Sequence, residues 1–159
     1  MKLLKVIAVA TFAASLAAPA FAAEAQHKLA IHVDQNDPQV MNMALNNVAN
    51  LQSYYAEQGD EVTVEVVTYG PGLTMLTAGS PVAARISTMS LEADDLTFSA
   101  CANTMAGMEK KTGQTPRLLD EAQLHGTTAE AIADCHYVLA TTARPRGLTT
   151  PVLSPEGAM

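Results

Sequence analysis

The stretch KLAIHVDQNDPQVMNMALNNVANLQSYYAEQGDEVTVEVVTY, residues 28–69, decides the fold because it contains a complete strand–helix–strand unit. Apolar residues alternate in its first six positions, as in a β-strand. Asp37 followed by Pro38 predicts a helix start, and Gly59 predicts the helix end. Residues 62–69 are rich in β-branched side chains and predict a second strand. The apolar positions at helical spacing between the strands are Val40, Met41, Ala44, Leu45, Val48 and Leu51.

The same pattern repeats further along the chain. Residues 70–77 predict a Gly-Pro-Gly loop and a short helical turn, and Ser80 with the following proline predicts the start of a second helix. Leu96–Cys101 (LTFSAC) predicts a third strand. Asn103 is placed to cap a short helix that ends at Gly113. Strands that alternate with helices predict an α/β fold with a parallel sheet and helices on both faces.

The amino terminus has the layout of a secretory signal peptide. Two lysines precede an apolar segment over 6–16, and Ala20-Phe21-Ala22 is a small-x-small cleavage site. The alternative is a membrane anchor, but the apolar run is short and Pro19 interrupts it. We therefore expect residues 1–22 to be a signal peptide and the protein to be periplasmic or secreted. We expect no membrane association after cleavage.

Composition narrows the classes of partner and cofactor. The net charge of −7 argues against nucleic acid as a partner, because phosphate binding needs clustered Lys and Arg. The four histidines are scattered, and neither CxxC nor HExxH occurs, so no metal site is predicted. No cofactor is predicted either. Cys101 and Cys135 are open to two interpretations, a disulfide in an oxidising compartment or two small buried side chains.

The position of Cys101 makes it the best candidate for chemistry. It lies at the carboxyl end of a predicted strand, where parallel sheets place their ligand sites. It also lies just before a predicted helix, whose free N–H groups and partial positive charge stabilise a thiolate. The thiolate is the nucleophilic form of cysteine. The alternative is that Cys101 only packs in the core.

Several irregular motifs in this order resemble the DsrE/DsrF-like family of small sulfur-relay proteins. The matching elements are HVDQNDP, ALNNVANL, EVVTYGPGLTML, SPVAARI and FSACANTMAGMEKKTG, and they cover about residues 28–121. The resemblance implies a flavodoxin-like fold and a homo-oligomer, a trimer or hexamer. It implies that Cys101 accepts persulfide sulfur from a donor protein or small thiol and passes it to an acceptor.

The resemblance also implies roles for four polar residues. Asn103 and Thr104 would shape the loop beside Cys101. Asn46 and Asn47 match a motif in the family's first helix. The alternative for these two asparagines is ordinary polarity on a helix surface.

The carboxyl-terminal part of the chain departs from this family. The segment TTAEAIADCHYVLATTARPRGLTTPVLSPEGA, about residues 127–158, resembles an internal piece of SpoU-type tRNA 2'-O-methyltransferases. That family also has a catalytic arginine motif and a carboxyl-terminal knot that binds S-adenosylmethionine. Neither motif is found in this sequence, so methyl transfer is not expected. Thr127 is placed to cap a helix over 129–134, and 136–140 (HYVLA) predicts a strand. This foreign strand–helix–strand segment is therefore expected to complete the sheet.

The sequence predicts an exported domain over residues 23–144, native-like to about residue 123 and composite thereafter, followed by an irregular tail over 145–159. The leading hypothesis is binding or relay of sulfane sulfur through Cys101. The alternative is a non-catalytic oligomeric binding module, to which methionine-rich helices would contribute contact surface unless their methionines are ordinary core residues. These methionines are Met41, Met43, Met105 and Met108.

Overall fold

A computed structural model of the chain describes residues 26–140. Within this range a five-stranded, fully parallel sheet has the strand order β4-β3-β2-β1-β5. The strands are β1 (Gln26–Val33), β2 (Glu61–Thr68), β3 (Leu96–Cys101), β4 (Ala122–His125) and β5 (Tyr137–Ala140). The helices are α1 (Pro38–Gln58), a 3-10 helix (Gly70–Leu76), α2 (Ala83–Glu92), α3 (Ala102–Thr112) and α4 (Thr128–Ala131). The predicted flavodoxin-like α/β class is confirmed.

The ends of α1 follow the predicted signals. The Asp37 carboxylate accepts a hydrogen bond of 2.8 Å from the backbone N–H of Gln39, and proline occupies the first turn. Gly59 ends the helix with φ of 78°, a left-handed conformation that costs glycine little. Residues at helical spacing along α1 are fully buried against the sheet. They include Met41, Ala44, Leu45 and Val48.

Two helix starts and one loop differ from the prediction. Residues 81–82 form a turn, with the Ser80 hydroxyl accepting from the N–H of Val82, so α2 begins only at Ala83. The helix-capping position of α3 is Cys101 rather than Asn103, because the strand runs directly into the helix. The predicted loop and turn over 70–77 is a single 3-10 helix.

The two faces of the sheet are covered unequally. Strands β1 to β4 follow one another across the sheet, so right-handed crossovers place all their connecting helices on one face, which holds the main core. The return from β4 to β5 crosses the other face, and α4 lies there. We call this second side the α4 face. From the strand register its residues are Lys28, Ala30, His32, Thr63, Glu65, Val67, Thr97, Ser99, Cys101, Gln123 and His125.

The carboxyl-terminal segment completes the sheet as expected. β4 pairs with β3 and β5 pairs with β1, both in parallel. The Thr127 hydroxyl caps α4 by accepting a 3.1 Å hydrogen bond from the N–H of Glu130. The helix is shorter than the predicted 129–134 and buries only Ala131. Within residues 26–140, Ala131 packs against Ala30 and Val67 of the α4 face.

Several expectations fall outside the described range. The signal peptide at 1–22, the tail at 145–159 and most of the methyltransferase-like segment are not part of residues 26–140. In the part of the chain that the structure describes, none of the helices combines the length and the apolar character needed to span a bilayer.

Candidate functional site

Cys101 occupies the predicted position at the seam between a strand and a helix. It is the last residue of β3 and the N-cap of α3, with extended backbone angles of −81° and 116°. The adjacent strand β4 places His125 directly opposite Cys101 in the register. The thiol therefore lies at the carboxyl edge of the sheet, beside the free N–H groups of the first helical turn.

The environment of the Cys101 sulfur favours its ionised form. Burial raises the pKa of this thiol, but hydrogen bonds from the backbone and hydroxyl of Thr104, the hydroxyl of Thr128 and the backbone of Asn103 lower it. The hydrogen bonds together outweigh burial, so the pKa of Cys101 lies below its usual range. A thiol with this bias has more thiolate near neutral pH than an ordinary cysteine.

The sulfur is less open than an attacking thiolate requires. Cys101 is only 6% exposed, because the start of α4 reaches over it and contributes Thr128. This conformation therefore does not by itself give a donor access to the sulfur. It nevertheless accepts hydrogen bonds from Asn103, Thr104 and Thr128, which distinguishes it from a cysteine that only packs in the core.

Thr104 connects Cys101 to the loop after β2. Its hydroxyl oxygen accepts a 3.0 Å hydrogen bond from the N–H of Gly70 while the hydroxyl hydrogen bonds to the Cys101 sulfur. Asn103 has an exposed side chain, and it is its backbone N–H that reaches the sulfur. Both residues contact the Cys101 sulfur, and Asn103 is not the cap that the sequence predicted.

The two asparagines of α1 lie away from Cys101. α1 packs on the main core side of the sheet, opposite the α4 face. The Asn46 side chain accepts a 2.7 Å hydrogen bond from Arg85 and thereby connects α1 to α2. Asn47 is half-buried on the same helix. The structure therefore does not bring either asparagine to the thiol, and Asn46 has a structural contact instead.

Sequence reasoning missed a polar cluster on the α4 face. Glu65 lies in the central strand β2 and accepts a 2.5 Å hydrogen bond from the buried Ser99 hydroxyl. The His125 Nε2 atom lies 3.9 Å from a carboxylate oxygen of Glu65. The available signal was a glutamate inside the apolar strand VTVEVV, because a carboxylate in that position needs partners.

Cys135 belongs to this cluster and is a free thiol, as is Cys101, so the disulfide interpretation finds no support. Burial raises the pKa of Cys135 to about 11, with the nearby carboxylates of Glu65 and Asp134 adding to the effect. At neutral pH this thiol is therefore protonated, in contrast to the bias at Cys101.

A cavity of about 280 Å³ opens on the α4 face beside these residues. The carboxylate of Asp134 at its rim pairs with the Lys28 ammonium at 2.5 Å. Polar and ionisable side chains dominate its lining. They are Lys28, Thr63, Glu65, Thr97, Gln123, His125, Glu130, Asp134 and Cys135.

Comparison with known proteins supports the fold more than it supports a family. No family model matches the chain, and no curated protein matches it, so the methyltransferase-like resemblance at the carboxyl end gains no support.

Solved structures with a similar fold include two bacterial or archaeal proteins. A protein of unknown function, MTH1491 from Methanobacterium thermoautotrophicum, aligns with a TM-score of 0.58 and 21% identity over 71% of this chain and 98% of its own. The YchN protein from E. coli aligns with a TM-score of 0.52 and 15% identity over 72% of this chain and 98% of its own. At these identities the likeness shows the fold alone: this chain has a five-stranded parallel α/β fold of the flavodoxin-like class.

Proposed function

We propose that this protein handles sulfane sulfur through Cys101, as a small exported sulfur-relay protein of DsrE type. The observation that carries the proposal is the set of hydrogen-bond donors around one sulfur atom, which together lower its pKa despite burial. The sulfur lies at a strand end and a helix start, where its negative charge is stabilised. The structural likeness to YchN and MTH1491 is consistent with this proposal at the level of fold.

The proposed step is a thiol–persulfide exchange. The Cys101 thiolate attacks the terminal sulfur of a donor persulfide, a new S–S bond forms at Cys101, and the donor's S–S bond breaks. The donor leaves as a thiolate, so no external oxidant or reductant is needed. The reverse reaction with an acceptor thiolate delivers the sulfur onward. Donor and acceptor are proteins or small thiols in this proposal.

The exchange requires that the donor persulfide reach the Cys101 sulfur, which is buried in the observed conformation. The segment that covers Cys101 is the start of α4, a four-residue helix that buries a single residue. A helix with so little buried apolar surface opens at low cost compared with the core. We infer that displacement of α4 admits the donor to Cys101.

Mass spectrometry after incubation with a small persulfide donor tests the proposal. We expect Cys101 to gain the mass of one sulfur atom and to lose it on addition of a small thiol. The Cys135→Ser variant should load as the wild type does, whereas Cys101→Ser should not load. A folded protein whose Cys101 stays unmodified would contradict the proposal.

A second candidate is a non-catalytic oligomeric binding module. It is favoured by the burial of Cys101 and by large exposed apolar side chains, of which Leu91 is 89% exposed. Of the methionines considered above, Met43 is 42% exposed and Met41 is in the core. Sedimentation analysis together with native-state alkylation separates the two candidates, because a pure binding module would oligomerise without a reactive Cys101. Export, predicted from residues 1–22, is part of both candidates.

A further inference from the structure

A second group of reactive side chains lies on the α4 face, separate from the donors around Cys101. The carboxylates of Glu65 and Asp134 and the thiol of Cys135 place three ligand atoms within 4.8 Å of one another. These atoms come from the central strand β2 and from the turn between α4 and β5. Residues about seventy positions apart in the chain are thus brought together, which is why sequence spacing predicted no metal site.

Three further features favour a cation at this point. The ligand atoms line the cavity of about 280 Å³, which has room for an ion and its water. The His125 Nε2 atom lies 3.9 Å from the Glu65 carboxylate and offers a nitrogen ligand at the same wall. The Glu65 carboxylate is only 14% exposed; it already accepts a hydrogen bond from Ser99, and a cation would add the positive charge that favours a buried carboxylate.

We propose that Glu65, Asp134 and Cys135 form a zinc-binding site on the α4 face, with His125 beside it. On binding zinc the Cys135 thiol releases its proton to solvent, since a cysteine ligand is a thiolate. A thiolate with carboxylates, and an imidazole nearby, is a ligand set that suits zinc rather than magnesium or calcium. Three protein ligands leave a fourth position for water, as in open zinc sites. The site is independent of sulfur transfer at Cys101, and no part of the proposed exchange requires it.

The geometry requires only local adjustment. Zinc–ligand distances are about 2.0–2.3 Å, so the three ligand atoms have to approach one another somewhat. The Asp134 side chain is 66% exposed and can rotate toward the cavity. The Asp134 carboxylate is at present neutralised by the Lys28 ammonium. A bound zinc ion would take over this role. Zinc binding therefore releases Lys28 to solvent, where its side chain is already 41% exposed.

Calorimetric titration of the metal-free, reduced protein with zinc ions tests the site. We expect one zinc per chain with micromolar or tighter affinity. Loss of a residue that only supports a zinc ligand lowers zinc affinity roughly 10- to 100-fold. Cys135→Ser removes a ligand itself and should lower the affinity by at least this factor. Cys101→Ser is the matched control and should bind as the wild type does. Absence of zinc binding by the wild type would overturn the proposal.

Cobalt substitution identifies the ligand directly. A thiolate bound to cobalt gives a sulfur-to-metal charge-transfer band, which should appear in the wild type and in Cys101→Ser but not in Cys135→Ser. The exposed Asp134→Asn variant supplies a second test if Cys135→Ser is unfolded by circular dichroism, and it too should bind zinc more weakly. A cobalt–thiolate band that depends on Cys101, or unchanged zinc affinity in folded Cys135→Ser or in Asp134→Asn, would refute the assignment. Because sulfur loading is measured on Cys101 alone, failure of the zinc site and failure of the proposed relay are distinguishable.

Discussion

The hydroxyl of Thr128 donates a hydrogen bond to the sulfur of Cys101. The two residues belong to different elements of the fold. Cys101 is the last residue of β3, whereas Thr128 is the first residue of α4 in the carboxyl-terminal segment. The segment that completes the sheet therefore also contributes to the environment of the candidate nucleophile.

Replacement of Thr128 by valine tests this contact. The change removes the hydroxyl donor at nearly constant shape, so the pKa of Cys101 should rise and less thiolate should be present near neutral pH. Alkylation of Cys101 at neutral pH should slow about three- to tenfold, which corresponds to loss of one hydrogen bond of about 1 kcal/mol. The pH dependence of alkylation is followed in the Cys135→Ser background. Thr128→Ser retains a donor and should behave as the parent does; equal rates for the valine and serine variants would argue against the contact.

His32 predicts a pH dependence of stability. Burial lowers the pKa of this histidine despite the opposing charge of Asp34. Between that lowered pKa and the unfolded value of about 6.5, the unfolded chain binds more protons, so stability is complete above this window and declines as the pH falls through it. His32→Phe keeps a ring against Tyr69, which His32 contacts edge-on at 5.4 Å.

The measurement is urea unfolding of wild type and His32→Phe on both sides of that window. The wild type should lose more of its unfolding free energy on acidification than the variant does. Parallel curves for the two proteins would mean that His32 does not titrate as stated, whatever the absolute stability of the variant.

Gly72 predicts a large local effect of a single methyl group. A Cβ built at this position lies 2.1 Å from the carbonyl oxygen of Val33, which belongs to rigid strand backbone. Gly72→Ala should therefore destabilise the protein by about 3 kcal/mol, the upper end of what overpacking costs. Gly79→Ala is the control, because a Cβ there meets nothing within 4 Å. Thermal unfolding should show a large drop in Tm for the first variant and little change for the second.

Asn46 is expected to affect stability and not sulfur chemistry. Asn46→Ala removes the acceptor for one nitrogen of Arg85, while the contacts of Arg85 with Asn42 remain. The loss should be about 1 kcal/mol or less, since the contact is exposed. Persulfide loading of Cys101 should be unchanged in this variant. If a folded Asn46→Ala protein failed to load sulfur at Cys101, Asn46 would have a role in the sulfur chemistry and this prediction would be wrong.

Much of the fold was predictable because its signals are local. Asp37, Pro38 and Gly59 specify the ends of α1, and the strand that ends at Cys101 is found at the predicted residues. The start of α2 was misplaced because a serine and a proline suit a turn as well as a helix cap.

The site was predictable only in its central residue. Cys101 was identified because strand ends and helix starts are visible in sequence. Thr128, Glu65 and Cys135 were not identified, since their proximity depends on the return of the chain across the α4 face. Asn46 was assigned to the site from resemblance, whereas its side chain is engaged by Arg85. The burial of Cys101 depends on the same crossing and could not be read from its neighbours in sequence.

The most direct test of the central claim is alkylation of Cys101 in the folded Cys135→Ser protein as a function of pH. We predict modification without unfolding, with a midpoint below that of an ordinary thiol, because the donors around the sulfur stabilise the thiolate. A Cys101 that reacts only after the protein is unfolded, or only at the pH of an unperturbed cysteine, would contradict the account.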